Sequence, residues 1–207
     1  IDPNSAAGRA DWRAILHATL PYVDIFLPSV EELLSALHPD TYQTLARQTP
    51  GTEYISPTLL SHLGQELIEL GVKIAVIKLG NHGLYLRTAG EDAIACLGRA
   101  APFNPAAWAE KEMWAPCFKV QVAGTTGSGD STIAGFLGAL LRDMSPEQAA
   151  TIAVAVGACN VEAPDALSGL RSWEETLARI DAGWERLSFP MPDPNWKYDP
   201  KAGFWTP

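Results

Sequence analysis

The stretch GTTGSGDSTIAGFLGALL, residues 124–141, is the part of the sequence that decides the fold. Gly124, Gly127 and Gly129 follow directly on the alternating apolar run FKVQV, residues 118–122. Glycine allows the backbone to turn tightly and to come close to a ligand. The apolar residues after the glycines predict a buried helix, so this stretch indicates a strand, a glycine-rich turn and a helix in succession.

The glycine-rich turn has the composition of an anion site. We expect the N–H groups of Gly127, Ser128 and Gly129 to point out of the helix N-terminus, where the helix dipole favours negative charge. Asp130 follows in the first turn, where a carboxylate is placed to accept the proton of a hydroxyl group. Phosphoryl transfer requires little beyond such positioning and charge compensation. The spacing is explained about equally well by an ordinary turn with Asp130 as a first-turn acid, and no GK[ST] of a Walker A motif follows the glycines.

The flanking sequence alternates between strand and helix signals. It predicts an α/β fold with a mostly parallel sheet and helices on both faces. The predicted strands are 23–27, 73–79, 84–88, a weaker one at 92–97, and 118–122. The predicted helices are 10–19, 30–37, 57–70, one after the glycine turn, one after the capping box at Ser145, and one from Ser172 to about Leu187. Residues 38–55 are predicted to be a loop and residues 98–117 an irregular excursion.

Two parts of the chain differ in character. Residues 1–187 are predicted to form one nucleotide-binding and catalytic portion of a domain. Residues 188–207 contain five prolines and two tryptophans, and we expect this tail to lie extended on the surface.

Composition narrows the class of partner. The 207 residues are 47% hydrophobic and carry a net charge of −9, which favours a packed domain and argues against nucleic acid. Any site for a polyanion must therefore be locally favourable. Cys96, Cys117 and Cys159 are widely spaced and suggest neither zinc nor disulfides, so a reducing cytoplasm is the expected location. The apolar runs are too short to span a bilayer, so no membrane partner is expected.

The stretch GTTGSGD followed by a small, apolar helix resembles the second signature of the PfkB (ribokinase-like) carbohydrate kinases. Further segments resemble the same family in the same order along the chain. They are DPN at residues 2–4, VDIFLPSVEEL at 23–33, VIKLGNHGLYL at 76–86 and SPEQAATIAVAVGA at 145–158. The resemblance implies a three-layer ribokinase-like sandwich. It covers the C-terminal portion only, because the family's N-terminal half, with its sugar motif and β lid, has no counterpart here.

The resemblance also implies roles for individual residues. Asp130 matches the family's catalytic base, and Gly127 to Gly129 match its anion hole. The implied nucleotide-binding residues are Lys78, Gly80, Gly83, Thr126, Gly127 and Gly129. Glu32 matches a glutamate that acts through Mg²⁺, so ATP, Mg²⁺ and a small sugar or sugar-like substrate are the expected ligands, and a homodimer is possible. From the residues alone, a Ser-x-x-Glu spacing such as Ser29 to Glu32 is more often only a capping box. Lys78 is about equally well explained as a strand-end lysine that reaches solvent.

Three positions depart from the family pattern. Gly124 replaces an aspartate that helps many members to bind a monovalent cation. Ser29 replaces an asparagine beside the Mg²⁺ glutamate, and Val154 replaces an asparagine near the nucleotide. Three functions therefore stay open: a sugar kinase, a nucleoside or vitamin kinase of the same fold, and a catalytically quiet nucleotide-binding relative.

Overall fold

A computed structural model describes residues 5, 8, 10–48, 55–189, 191 and 193–207. The segment DPN at 2–4 lies outside these residues. The α-helices are α1 (Trp12–Thr19), α2 (Val30–Leu37), α3 (Pro39–Gln48), α4 (Pro57–Glu69), α5 (Glu91–Ala95), α6 (Pro105–Trp108), α7 (Ser128–Leu140), α8 (Pro146–Asn160) and α9 (Trp173–Asp181). The strands are β1 (Ile25–Phe26), β2 (Ile74–Lys78), β3 (Leu84–Thr88), β4 (Glu112–Ala115), β5 (Lys197–Asp199) and β6 (Phe204–Thr206).

The strands form one mixed sheet in the order β1-β2-β3-β4-β6-β5. Strands β1 and β2 are parallel, and the other neighbouring pairs are antiparallel. The expected parallel majority is therefore not met among the described strands. The reason is local for β2 and β3, because residues 79–83 form a connection too short for the crossover that parallel strands need.

The sheet is covered by helices on both faces, as predicted for an α/β sandwich. Ile74 and Val76 pack on one face in a core that includes α7 and α8. Ala75 and Ile77 point to the opposite face and pack in a core that includes α2 and α4. Strand β2 is buried on both sides, which explains why its sequence is almost continuously apolar.

Helix-start signals account for two errors in the predicted secondary structure. The predicted loop 38–55 contains α3, which begins with Pro39 and has Asp40 in its first turn. The predicted weak strand 92–97 is largely α5. The negative charges of Glu91 and Asp92 lie in the first turn, where they interact favourably with the positive end of the helix dipole.

Pairing between distant segments explains the other errors in the predicted secondary structure. The irregular excursion 98–117 contains α6 and β4, and β4 is held by pairing with β3. The predicted strand 118–122 is reduced to a single bridge between Phe118 and Arg186. Helix α9 ends at Asp181 rather than near Leu187.

The C-terminal tail is partly built into the sheet. Strands β5 and β6 form a hairpin, and β6 pairs with β4 through Trp205 and Trp114. Trp196 and Phe204 are buried, so the prediction of a tail lying only on the surface is wrong. The buried aromatic side chains supply the apolar contact that holds the hairpin in place.

None of the helices in the described part of the chain is both long enough and apolar enough to cross a membrane.

Candidate functional site

The turn before α7 leaves backbone N–H groups without acceptors. Gly127 is the N-cap residue, with φ +78° and ψ −3° in the left-handed region that favours glycine. Within the described residues, the N–H groups of Gly127, Gly129 and Asp130 have no hydrogen-bond acceptor. The N–H of Ser128 differs from the prediction, because it donates to the carbonyl of Thr125 at 3.3 Å. The first turn of α7 therefore offers an anion several donors and the positive end of the helix dipole.

The loop after α8 packs directly against this turn. A Cβ atom on Gly124 would lie 2.8 Å from the carbonyl oxygen of Pro164, and one on Gly127 would lie 2.8 Å from the Cβ of Ala166. Asn160 is buried and donates from Nδ2 to the carbonyl of Ala166 at 2.6 Å. The glycines thus allow two backbone segments to meet, and Asn160 helps to hold the second one in place.

Lys78 lies at the end of β2, facing the same turn. Its N–H donates to the carbonyl of Pro28 at 2.9 Å, and the residue forms a parallel bridge with Ser29. A Cβ atom on Gly129 would lie 3.4 Å from Lys78 Nζ. Among the described residues, no carboxylate pairs with this ammonium group. The lysine charge and the N-terminus of α7 therefore act on the same space.

Asp130 lies beside this space in the first turn of α7. The side chain is exposed, and no hydrogen-bond or ion-pair partner holds it within the described part of the chain. It is not among the residues that line the cleft next to the turn. The carboxylate is thus exposed and unpaired next to the anion site, within the residues that the structure describes.

Glu32 takes part in the capping box that the sequence predicts for α2. The N–H of Ser29 donates to Glu32 Oε2 at 2.8 Å, and the N–H of Glu32 donates to Ser29 Oγ at 3.2 Å. The residues that the structure describes contain no group of three or more His, Cys, Asp and Glu side chains able to hold a metal ion. Mg²⁺ in kinase sites usually needs one or two carboxylates together with substrate phosphates. Glu32 is exposed and bonded to Ser29, which bridges to Lys78, so its carboxylate could supply one such ligand.

A cleft of about 310 Å³ opens next to the turn. Of the predicted residues, Lys78, Gly80, Gly83, Ser128 and Gly129 line it, whereas Thr126, Gly127, Asp130 and Glu32 do not. Most of the remaining lining is apolar and was not predicted apart from Val154. It consists of Cys117, Phe118, Val120, Val122, Val154, Ala158, Val161 and Leu187 together with Asn81, Thr125, Thr132 and Gly157. Apolar residues carry no sequence signal that distinguishes a cleft wall from a core.

A tight turn between β2 and β3 forms the floor of the cleft. Gly80 and Gly83 have φ values of +57° and +97°. A Cβ atom on Gly83 would lie 2.0 Å from the carbonyl oxygen of Ala115, so this position requires glycine. Cys117 donates from its thiol to the carbonyl of Gly80 at 3.4 Å, and burial raises the pKa of that thiol to about 11. The thiol is therefore a neutral part of the cleft lining near neutral pH.

The sheet, its two helical layers and the glycine turn define a ribokinase-like α/β protein. The sequence model of the pfkB family carbohydrate kinases matches residues 2–173, and the chain belongs to that family. No sequence among the curated proteins matches it.

Solved structures share the fold. The ribokinase of Thermotoga maritima is 24% identical, with 86% of this chain and 47% of that chain covered at a TM-score of 0.56. A putative ribokinase II from E. coli, in complex with ATP and Mg²⁺, is 20% identical over 82% of this chain and 43% of that chain, with a TM-score of 0.57. Aminoimidazole riboside kinase from Salmonella enterica, complexed with aminoimidazole riboside and an ATP analog, is 21% identical over 84% of this chain and 49% of that chain, with a TM-score of 0.57. The chain thus spans slightly less than half the length of these similar proteins.

Proposed function

We propose that this chain carries the nucleotide-binding and catalytic part of a kinase that transfers a phosphoryl group from ATP to a sugar or sugar-like hydroxyl. The observation that carries the proposal is the position of Lys78. Its ammonium has no ion-pair partner in the described structure and lies next to Gly129 at the N-terminus of α7. A positive side chain and a helix N-terminus directed at one small space favour a phosphate group.

The cleft suits the two chemically different ends of a nucleotide. Val120, Val154 and Ala158 lie in its mainly apolar wall, against which a flat base can bury its faces. Lys78 and Gly129 supply the polar end, where the phosphates would bind. A protein with a net charge of −9 repels phosphates overall, but the positive field of Lys78 and the helix N-terminus acts locally at this end of the cleft.

Asp130 is the proposed general base. Its exposed carboxylate stands one residue after Gly129, so a hydroxyl group at the rim could lose its proton to Asp130 while the N–H groups hold the phosphate. Glu32, beside the end of β2, is the proposed residue through which Mg²⁺ is held. When bound, Mg²⁺ would neutralise negative charge on the phosphates. Lys78 and the free N–H groups stabilise charge on the transferred group without moving a proton.

Two alternatives keep the same donor site. A nucleoside kinase is supported by the similar fold of aminoimidazole riboside kinase. A catalytically quiet relative is favoured by Gly124 and Ser29, which depart from the family pattern, and is opposed by the free carboxylate of Asp130. The donor site alone does not select the acceptor, so substrate choice is expected to depend on other parts of the protein.

The test is an assay of ATP consumption by the complete protein against a panel of sugars and nucleosides. We expect ATP-dependent phosphorylation of one acceptor and a rise in the KM for ATP of about tenfold in Lys78→Met. Lys197→Met is the matched control, because Lys197 is exposed in β5 and far along the sheet order. Failure of the unchanged protein to bind ATP, or equal effects of the two substitutions, would contradict the proposal.

A further inference from the structure

The segment after α9 contributes Leu187 to the wall of the cleft, although this segment lies beyond the part of the chain that the family model matches. The N–H of Leu187 donates to the carbonyl of Cys117 at 2.7 Å, and the N–H of Lys119 donates to the carbonyl of Glu185 at 2.8 Å. Leu187 lines the cleft together with Cys117 and Phe118. The segment 184–187 is thus paired with the 117–119 segment, and its last side chain reaches the space proposed for the nucleotide.

Arg186 ties this wall to two other parts of the fold. It donates from Nη1 to the carbonyl of Pro116 at 2.7 Å and from Nη2 to Thr151 Oγ1 at 2.9 Å. Its guanidinium also lies 4.4 Å from the ring centroid of Phe118. Within the described residues it has no carboxylate partner. The guanidinium therefore holds the wall at a fixed distance from α8. This helix carries Thr151 and the cleft residue Val154.

Trp184 adds a second anchor at the other end of the segment. Its ring stacks on Phe118 with centroids 4.4 Å apart, and its Nε1 donates to the carbonyl of Lys119 at 2.9 Å. The guanidinium of Arg179 in α9 lies over the Trp184 ring, 3.6 Å from its centroid. Phe118 thus contacts the ring of Trp184 and the guanidinium of Arg186, and both contacts fix the wall next to it in position.

We propose that Leu187 contacts the base of the donor nucleotide and that Arg186 is a positioning residue that sets the distance between the 117–122 wall and α8. This inference rests on the proposed function, since it assigns a ligand to the same cleft. It predicts that the C-terminal segment affects the base end of the site and leaves the phosphate end unchanged. Leu187 is 37% exposed in the ligand-free chain, so a base could cover further apolar surface there.

The test separates the two ends by comparing ATP with inorganic tripolyphosphate, which has no base. Dissociation constants of both are measured by calorimetry on the complete protein. Leu187→Ala is expected to weaken ATP binding about three- to tenfold and to leave tripolyphosphate binding unchanged. Leu141→Ala is the matched control, because Leu141 is an exposed leucine that does not line the cleft. Equal weakening of both ligands, or no effect on ATP, would overturn the role of Leu187.

Arg186 is tested by Arg186→Ala and Arg186→Lys with the same two ligands. Both variants lose the two-pronged contact to Pro116 and Thr151, so both are expected to weaken ATP selectively, the alanine variant more strongly. Arg142→Ala is the control, since Arg142 lies over Trp173 at 4.2 Å and away from the cleft. If the unchanged protein binds neither ligand, the proposed function itself fails. If it binds both and the Arg186 variants bind ATP normally, only the positioning role fails.

Discussion

The Nζ atom of Lys78 lies 3.4 Å from the position that a Cβ atom would occupy on Gly129. The two residues are far apart in sequence and belong to β2 and α7, so the sheet and the helix must both be in place before they meet. Because Gly129 has no side chain, the ammonium group and the free N–H of the first helical turn share one space. This relationship is the physical basis of the proposed phosphate site.

Gly129→Ala should disturb that space without unfolding the protein. The added methyl group would fill part of the space between Lys78 Nζ and the N–H groups of the first helical turn, where a phosphate would bind, so we expect ATP and tripolyphosphate binding to weaken about tenfold. Gly138→Ala is the matched control in the same helix, where the methyl group would lie 3.4 Å from Trp173. Neither variant should have a lower melting temperature, because alanine is the better helix former at both positions. Equal ligand binding by the two variants would contradict the assignment.

Gly83→Ala and Gly80→Ala form a second matched pair, measured by denaturant unfolding. A Cβ on Gly83 would lie 2.0 Å from the carbonyl of Ala115, whereas one on Gly80 would meet nothing within 4 Å. We expect the free energy of unfolding to fall by about 3 kcal/mol or more for Gly83→Ala. Gly80→Ala should cost about 1 kcal/mol, the usual price of a left-handed alanine. Similar losses for the two variants would show that the turn is not constrained as described.

Local signals in the sequence were sufficient for many elements. The capping boxes at Ser29, Ser145 and Ser172 are all present, because each depends on residues three positions apart. The apolar run of β2 and the glycine turn before α7 were likewise predictable from neighbouring residues.

Features that depend on distant residues could not be predicted in this way. The direction of the strands and the docking of β6 on β4 are settled by pairing across the sheet. In the site, Leu187 and Cys117 come together only through a backbone pairing with no sequence motif. The contact of Lys78 with Gly129 was not predicted either, although both residues were named, because their distance depends on how α7 packs against the sheet.

Activity of the protein should be insensitive to K⁺. A side chain at position 124 would meet the carbonyl oxygen of Pro164 at 2.8 Å, so the carboxylate that assists cation binding in many relatives has no room here. Rates in Na⁺, K⁺ and a bulky organic cation should agree within about twofold, since little fixed charge opposes an ion there. Gly124→Asp should lower stability and should not create K⁺ activation. Strong activation by K⁺ in the unchanged protein would refute this.

Cys117 should react slowly with iodoacetamide at pH 8. Burial raises the pKa of its thiol to about 11, so the reactive thiolate is scarce below that pH and becomes more abundant as the pH rises towards it. Cys96 is exposed and provides the internal comparison. Mass spectrometry of alkylated peptides should show Cys96 modified first, with the rate at Cys117 increasing from pH 8 to pH 10. Rapid labelling of Cys117 at pH 8 would contradict the buried, neutral thiol.

Asp130 is proposed to accept the proton of the acceptor hydroxyl, and the turnover of Asp130→Asn in the complete protein tests this role most directly. Asp92→Asn is the matched control, because Asp92 is an exposed acid in the first turn of α5. We expect kcat to fall about 10²- to 10⁴-fold for Asp130→Asn, with ATP affinity and melting temperature nearly unchanged, and not to fall for Asp92→Asn. Near-normal turnover of Asp130→Asn would show that Asp130 is not the base and is an ordinary first-turn acid.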